Sequence, residues 1–159
     1  MKKPVIRYGV LFVVGFCLYT TIEVLFRGFS YWQSGVMGGI ALILIGRLNN
    51  EISWDFPLFW QCVVGGGIVT LLELMVGTYD RLFWHIHMWD YSHIPLNYRG
   101  IICLPFSVAW CGLALIAVLL DDCIEYYMFH GDVQPYYRSV TGYIMFALPL
   151  RKCEKGGFQ

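Results

Sequence analysis

Two acidic residues, Glu23 and Glu73, fall inside long apolar runs. A carboxylate at membrane depth costs at least a few kcal/mol unless it is paired or hydrated. Each is closely preceded by threonine, in Thr20-Thr21-Ile22-Glu23 and Thr70-Leu71-Leu72-Glu73, two short matches that do not make a repeat. Arg27 stands one helical turn after Glu23, so an ion pair between them is the plain alternative to a functional role for Glu23. Glu73 has no basic residue within a turn on its own helix, and its positive partner must come from elsewhere, with Arg81 and Arg99 as candidates.

The segment 80–99 crowds aromatic, histidine and ionisable side chains together without helical or strand periodicity: Trp84, His85, His87, Trp89, Asp90, Tyr91, Ser92, His93, Asn97, Tyr98 and Arg99. Trp and Tyr are expected in a belt at headgroup level, whereas the Asp, Ser and Asn need a further reason. Irregular backbone near membrane depth is tolerated only when buried in protein or lining a wet cavity, so this loop is expected to fold back over the helix ends. The expected result is one polar cluster of Glu73, Asp90 and Asn97, with arginine supplying the charge, Asn97 capping the following helix, and Trp89 and Tyr91 walling it from lipid. Glu23, Glu73, Arg81, Asp90, Tyr91, Ser92, Asn97 and Arg99 form the candidate ligand-binding set.

Imidazole and carboxylate suit zinc and its neighbours, which makes His85, His87 and His93 the residues to consider for metal. The two-residue spacing of His85 and His87 suits a strand rather than a helix face, and no metal site is assigned. GxSxG, HExxH and P-loop patterns are absent, so neither a cofactor nor a catalytic residue is assigned.

The elements that must position these residues are membrane helices. Of 159 residues, 58% are hydrophobic and 14% charged, and the mean hydropathy of +0.58 demands a lipid-facing surface. A crossing takes about 20 apolar residues. The segments 8–26, 31–47, 57–79 and 100–130 meet or approach that length, the second being shortest and the last continuing as a polar stretch through Asp121, Asp122 and Glu125. Asp55 and Pro57 are read as cap and first-turn residues of the third helix. Short connections favour antiparallel neighbours, and Gly35, Gly39 and Gly65 to Gly67 mark flat faces for close helix packing. Beyond Pro135, apolar residues recur at three and four between Tyr136 and Leu148, predicting an interfacial helix over 136–148. The expected fold is all-α, a single domain 1–159: an integral membrane bundle of about four transmembrane helices with a folded-back outer loop and an interfacial C-terminal helix.

Basic residues orient such a bundle. With the N-terminus inside, Lys2, Lys3, Arg7, Arg47, Arg138, Arg151, Lys152 and Lys155 stay in the cytoplasm, against Arg27, Arg81 and Arg99 outside. Both termini are therefore expected in the cytoplasm of a multi-pass protein of the cell membrane. Net charge is zero, which leaves no field to attract nucleic acid. The first run lacks a small-residue cleavage site and reads as an uncleaved helix. Cys17, Cys62, Cys103 and Cys111 sit in apolar runs and read as small hydrophobes rather than a disulfide framework.

Trp89-Asp90-Tyr91-Ser92, followed by Pro95, Asn97, Gly100-Ile101-Ile102-Cys103-Leu104 and Trp110, resembles the putative ABC-transporter type IV (CmpB-like) family and the related vertebrate four-pass proteins of unknown function. Glu73 and Glu23 are similar to that pattern's intramembrane acids. Pro105-Phe106 departs from it at the start of the fourth helix. The resemblance implies a permease, although the chain carries no Walker motif. Three functions stay open. The first is a transport or permease component whose outer polar pocket receives a small ligand, and the second a structural or partner-binding membrane subunit. The third is a membrane-embedded enzyme acting on lipid headgroups, with a histidine as acid or base. The expected partners are the lipid bilayer, other membrane subunits or further copies of the chain, and a small ligand.

Reporter fusions placed after Gln159 and at Phe29 are expected to give opposite compartment signals; matching signals would overturn the four-crossing topology.

Overall fold

The computed structural model describes residues 2–53 and 55–150. Arg151, Lys152 and Lys155 of the basic set lie outside the described residues, as do the side chains of Lys2 and Lys3. Four helices dominate: α1 (Lys2–Arg27), α2 (Trp32–Glu51), α3 (Leu58–Tyr79) and α4 (Leu104–Cys123). A π-helical turn extends α3 over Asp80–Trp84 and another extends α4 over Ile124–Met128. Val5–Arg27, Leu58–Trp84 and Leu104–Met128 are long and apolar enough to cross a membrane, and Trp32–Leu48 is a shorter apolar helix. The chain is thus an all-α membrane bundle. Consecutive helices run antiparallel, giving a loop end, where residues 85–103 lie, and a tail end.

Small residues set the packing. α1 packs chiefly on α2 and α3 on α4, while α2 bridges the two pairs. A Cβ on Gly39 would stand 2.6 Å from the Phe12 ring, and one on Gly65 would stand 2.7 Å from Ala114 Cβ. Lipid gives helices no hydrophobic reason to associate, so close backbone approach and dispersion do the work.

The structure corrects three local expectations. First, α4 begins at Leu104 and not at 100, because Asn97–Tyr98 (β1) and Ile102–Cys103 (β2) pair antiparallel around Gly100, whose φ of +64° suits glycine. Pro105 then sits in the first turn of α4, where its missing N–H is harmless. Second, Asp55 does not cap α3. The cap position is Pro57, and Asp55 instead forms an ion pair with Arg138 at 2.9 Å and accepts from the Tyr136 hydroxyl at 3.1 Å.

Third, residues 136–148 are not an interfacial helix but a hairpin, Tyr136–Arg138 (β3) against Ile144–Ala147 (β4). The turn places Gly142 at φ +87°, a position costly for other residues, and the Gly142 amide donates to Ser139 O at 3.0 Å. The apolar spacing fitted a helix, but β-branched and aromatic residues flanking a Ser-Val-Thr-Gly turn also form a hairpin. Tyr137, 2% exposed, anchors it by donating to Asp122 Oδ2 at 2.6 Å. Burial, together with that bond, pushes the Tyr137 hydroxyl well above its ordinary pKa, so it remains a donor.

The tail end also buries an ionic group. Arg7, 7% exposed, meets Asp121 at 2.6 Å and Glu125 beside it, tying α1 to the end of α4. Removing one partner of a buried pair leaves an uncompensated charge. Arg7→Met is expected to cost about 3–5 kcal/mol, read as a large fall in thermal midpoint in detergent. Tyr137→Phe is expected to cost only about 1–2 kcal/mol, with faster amide exchange over 136–147 and no change in α4. A Tyr137→Phe protein with unaltered hairpin exchange would show that the hydroxyl does not anchor it.

Candidate functional site

Glu73 sits two turns before the end of α3 and is 1% exposed. Among the described residues, no arginine pairs with it. Its Oε1 accepts from the Tyr91 hydroxyl at 3.1 Å and its Oε2 from the Trp110 indole N–H at 2.8 Å. Trp110 comes from the second turn of α4, and Tyr91 from the loop folded back over the bundle. Trp110 stacks in turn on Tyr19 of α1, with ring centroids 5.7 Å apart and planes 20° off parallel. Tyr91 stacks on Phe106 at 4.7 Å. One carboxyl group thereby joins α3, α4, the loop and, through the indole, α1. Burial and then the Glu73 charge push the Tyr91 hydroxyl well above its ordinary pKa, which keeps its proton in place for Glu73.

The expected cluster divides in two. Asp90 and Asn97 do not join Glu73; both are exposed and serve the loop itself. Asp90 accepts from the Ser92 amide and hydroxyl, each at 3.0 Å, and faces Arg81 at 3.5 Å. The Ser92 amide and hydroxyl hold the Asp90 carboxyl below its ordinary range. Asn97 does not cap α4, whose cap position is Cys103 without a side-chain bond. It donates to Ser92 O at 3.2 Å and Ile94 O at 2.7 Å and accepts from the Gly100 amide at 3.0 Å. Arg81 also donates to Gly100 O at 3.2 Å. These bonds turn the chain sharply at the loop that carries Tyr91, with Asp90, Ser92, Asn97 and Arg81 all bonded within it.

Glu23 pairs with Arg27 at 2.6 Å and accepts from the Ser30 hydroxyl at 2.6 Å. Arg27 also donates to Met88 O, clipping α1 to the loop. Arg99 lies over the Tyr98 ring, 5.5 Å from its centroid, and does not reach Glu73. His85, His87 and His93 are exposed. Among the described residues, no three His, Cys, Asp or Glu side chains group as a metal ion would require.

The candidate set lacks Trp110 as a partner of Glu73, and it also lacks Asp80. Asp80 is 3% exposed, and its carboxylate accepts from the Ile86 amide at 3.0 Å and the Met88 amide at 2.8 Å. It thereby holds the loop's first turn, where His85 and His87 adopt left-handed φ values of 55° and 54°. Such residues cost on the order of 1–3 kcal/mol each and persist only when their surroundings fix them. The signal was available: an acid at a helix C-terminus opposes the helix dipole and needs donors from beyond the helix.

Beside the Glu73 network lies a groove of about 290 Å³ between α1 and α4. Tyr19 and Trp110 form part of its wall; Ala41, Ile45 and Ala114 lie in its floor, and the exposed Leu18 and Ile116 form its lips. Its surface is almost wholly apolar, so a charged or strongly polar ligand has no partner there.

A family model described as putative ABC-transporter type IV matches residues 5–150 of the chain. No solved structure matches it.

Asp80→Ala is expected to leave two amides without acceptors, costing about 1–3 kcal/mol for each that stays buried, and to raise amide exchange across residues 85–92. Asp80→Asn keeps one acceptor oxygen and is expected to fall between. Unchanged exchange in the alanine variant would show that the loop is held from elsewhere.

Proposed function

This chain belongs to the putative ABC-transporter type IV family, and on that premise we propose that it acts as a small membrane component of a transport system whose site is the Glu73 network and its groove. The observation that carries the reading is the double attachment of Glu73. One oxygen holds Tyr91 of the loop, and the other holds Trp110, whose ring lies against Tyr19 in the groove wall. A ligand that displaced either ring would alter the hydrogen bonds that seat the loop. Linkage of this kind requires only that the ligand bind two arrangements of the network unequally.

The outer polar pocket expected from the sequence gives way, in this proposal, to a site reached from the side. Asp90, Asn97 and Arg81 are positioning residues here, and Glu23 with Arg27 fastens α1 to the loop. The proposal places the chain in the cell membrane with both termini in the cytoplasm. Its partners are the bilayer, the other subunits or further copies that a complete transporter needs, and a small ligand.

A second reading, a structural or partner-binding subunit, draws on the same network, since both Glu73 oxygens already have partners within the chain. Profiling the lipids and metabolites that accompany protein purified from its native membrane separates the two. The transport reading expects a co-purifying molecule, retained in Glu73→Gln and depleted several-fold in Glu73→Leu while both variants stay folded. An identical content in wild type and folded Glu73→Leu favours the structural reading.

A further inference from the structure

We propose that the groove between α1 and α4 holds one acyl chain of a bilayer phospholipid; this names the ligand class of the site proposed above and rests on that reading. The groove lies within the spanning segments Val5–Arg27 and Leu104–Met128, so its mouth opens onto hydrocarbon rather than water. Leu18 and Ile116 at its lips are 40% and 50% exposed, continuous with the lipid-facing surface, while Ala41, Ile45 and Ala114 beneath them are buried.

Its shape is written in the helix pairing. α1 and α2 meet closely through Gly15 and Gly38, α3 and α4 through Gly65 and Gly66, and the seam between α1 and α4 is left to be filled. The tail end of that seam is closed by Arg7 against Asp121, and part of its wall is the stacked Tyr19 and Trp110. Along α1 the lining runs from Gly15 to Ile22 and along α4 from Trp110 to Ala117. Seven residues of helical rise make each wall about 10 Å long. A slot of that length, apolar along its floor and open at its side, accommodates a stretch of hydrocarbon chain and offers nothing to a headgroup. Within a bilayer, a volume of 290 Å³ open to acyl chains is covered by them, because dispersion contacts left unmade on its walls have no other partner.

The full chain in phosphatidylcholine vesicles, doped with a phosphatidylcholine carrying a diazirine in its acyl chain, is irradiated and its adducts mapped by peptide mass. Adducts at Leu18, Leu113 and Ile116 are expected to exceed several-fold those at Leu71 and Met75, exposed residues of α3 outside the groove. Ala117→Phe, which fills the slot, is expected to lower the groove adducts and leave those of α3 unchanged. Labelling equal at both sets of positions, or groove labelling unaffected in a folded Ala117→Phe protein, overturns the inference. If that variant does not fold, the wild-type ratio of groove to α3 adducts decides. An excess of free polyprenol that abolishes groove labelling assigns the slot to an isoprenoid chain and overturns the acyl assignment. Groove labelling that persists while Glu73→Leu changes no co-purifying molecule keeps the chain site and removes the transport reading, so the two fail separately.

Discussion

The cost of placing an ionisable group where water does not reach governs this molecule. Glu73 on α3 and Arg7 on α1 are almost fully buried, at opposite ends of the bundle, and each must be met by partners from its own chain. Arg7 is met by Asp121 and Glu125, which fixes the end of α4 against the start of α1. Glu73 is met by a hydroxyl and an indole, and the hydroxyl belongs to a loop. For Tyr91 to arrive, residues 85–103 must fold back over the bundle and keep their backbone satisfied while doing so. Asp80, Arg81, Asn97 and the short β1–β2 pairing are the means: each supplies partners to amides or carbonyls that irregular backbone would otherwise leave unpaired.

Packing follows a different rule from that of a soluble bundle. Contact between membrane helices gains little from excluding water, so it depends on how closely backbones approach. Glycines concentrate that approach in two pairs, α1 with α2 and α3 with α4, and α2 then links the pairs. The α1–α4 seam is held at the tail by charge and toward the loop by the Tyr19–Trp110 stack. The apolar groove is what remains between these attachments, and so its position is a consequence of where the small residues fall.

The four helices were legible because hydrophobic runs of that length have few alternatives, and Glu73 was legible because an acid in such a run demands an explanation. The folded-back loop followed from its composition. The partners of Glu73 did not follow. A cation was expected where an indole and a phenol suffice, because hydrogen-bond donors without formal charge are indistinguishable in sequence from the aromatic belt around them. The 136–148 segment failed for a related reason: its apolar spacing fits a helix, but the turn at Gly142 and the anchoring of Tyr137 on Asp122 lie outside any periodicity. Asn97 was placed correctly in the loop but given the wrong task, since the helix it was expected to cap starts at Leu104, beyond a hairpin too short to show a strand pattern.

A chain of contacts from groove to loop transmits nothing unless its members have two arrangements that differ in their affinity for something. Among its members, Trp110 is the one whose hydrogen bonding is all or none. Its indole N–H is a donor only, and in a dry environment loss of the Glu73 acceptor would leave it buried and unpaired. It therefore cannot drift by degrees: either the bond to Glu73 is made or the ring must turn toward another acceptor. Tyr19 lies against one face of that ring and also forms part of the groove wall, so the groove and the side chain that holds the carboxyl share a surface. Tyr91, on the other oxygen, belongs to the loop and stacks on Phe106 of α4. The Glu73 carboxyl is thus a point at which the groove wall, through Trp110, and the loop, through Tyr91, meet on one group.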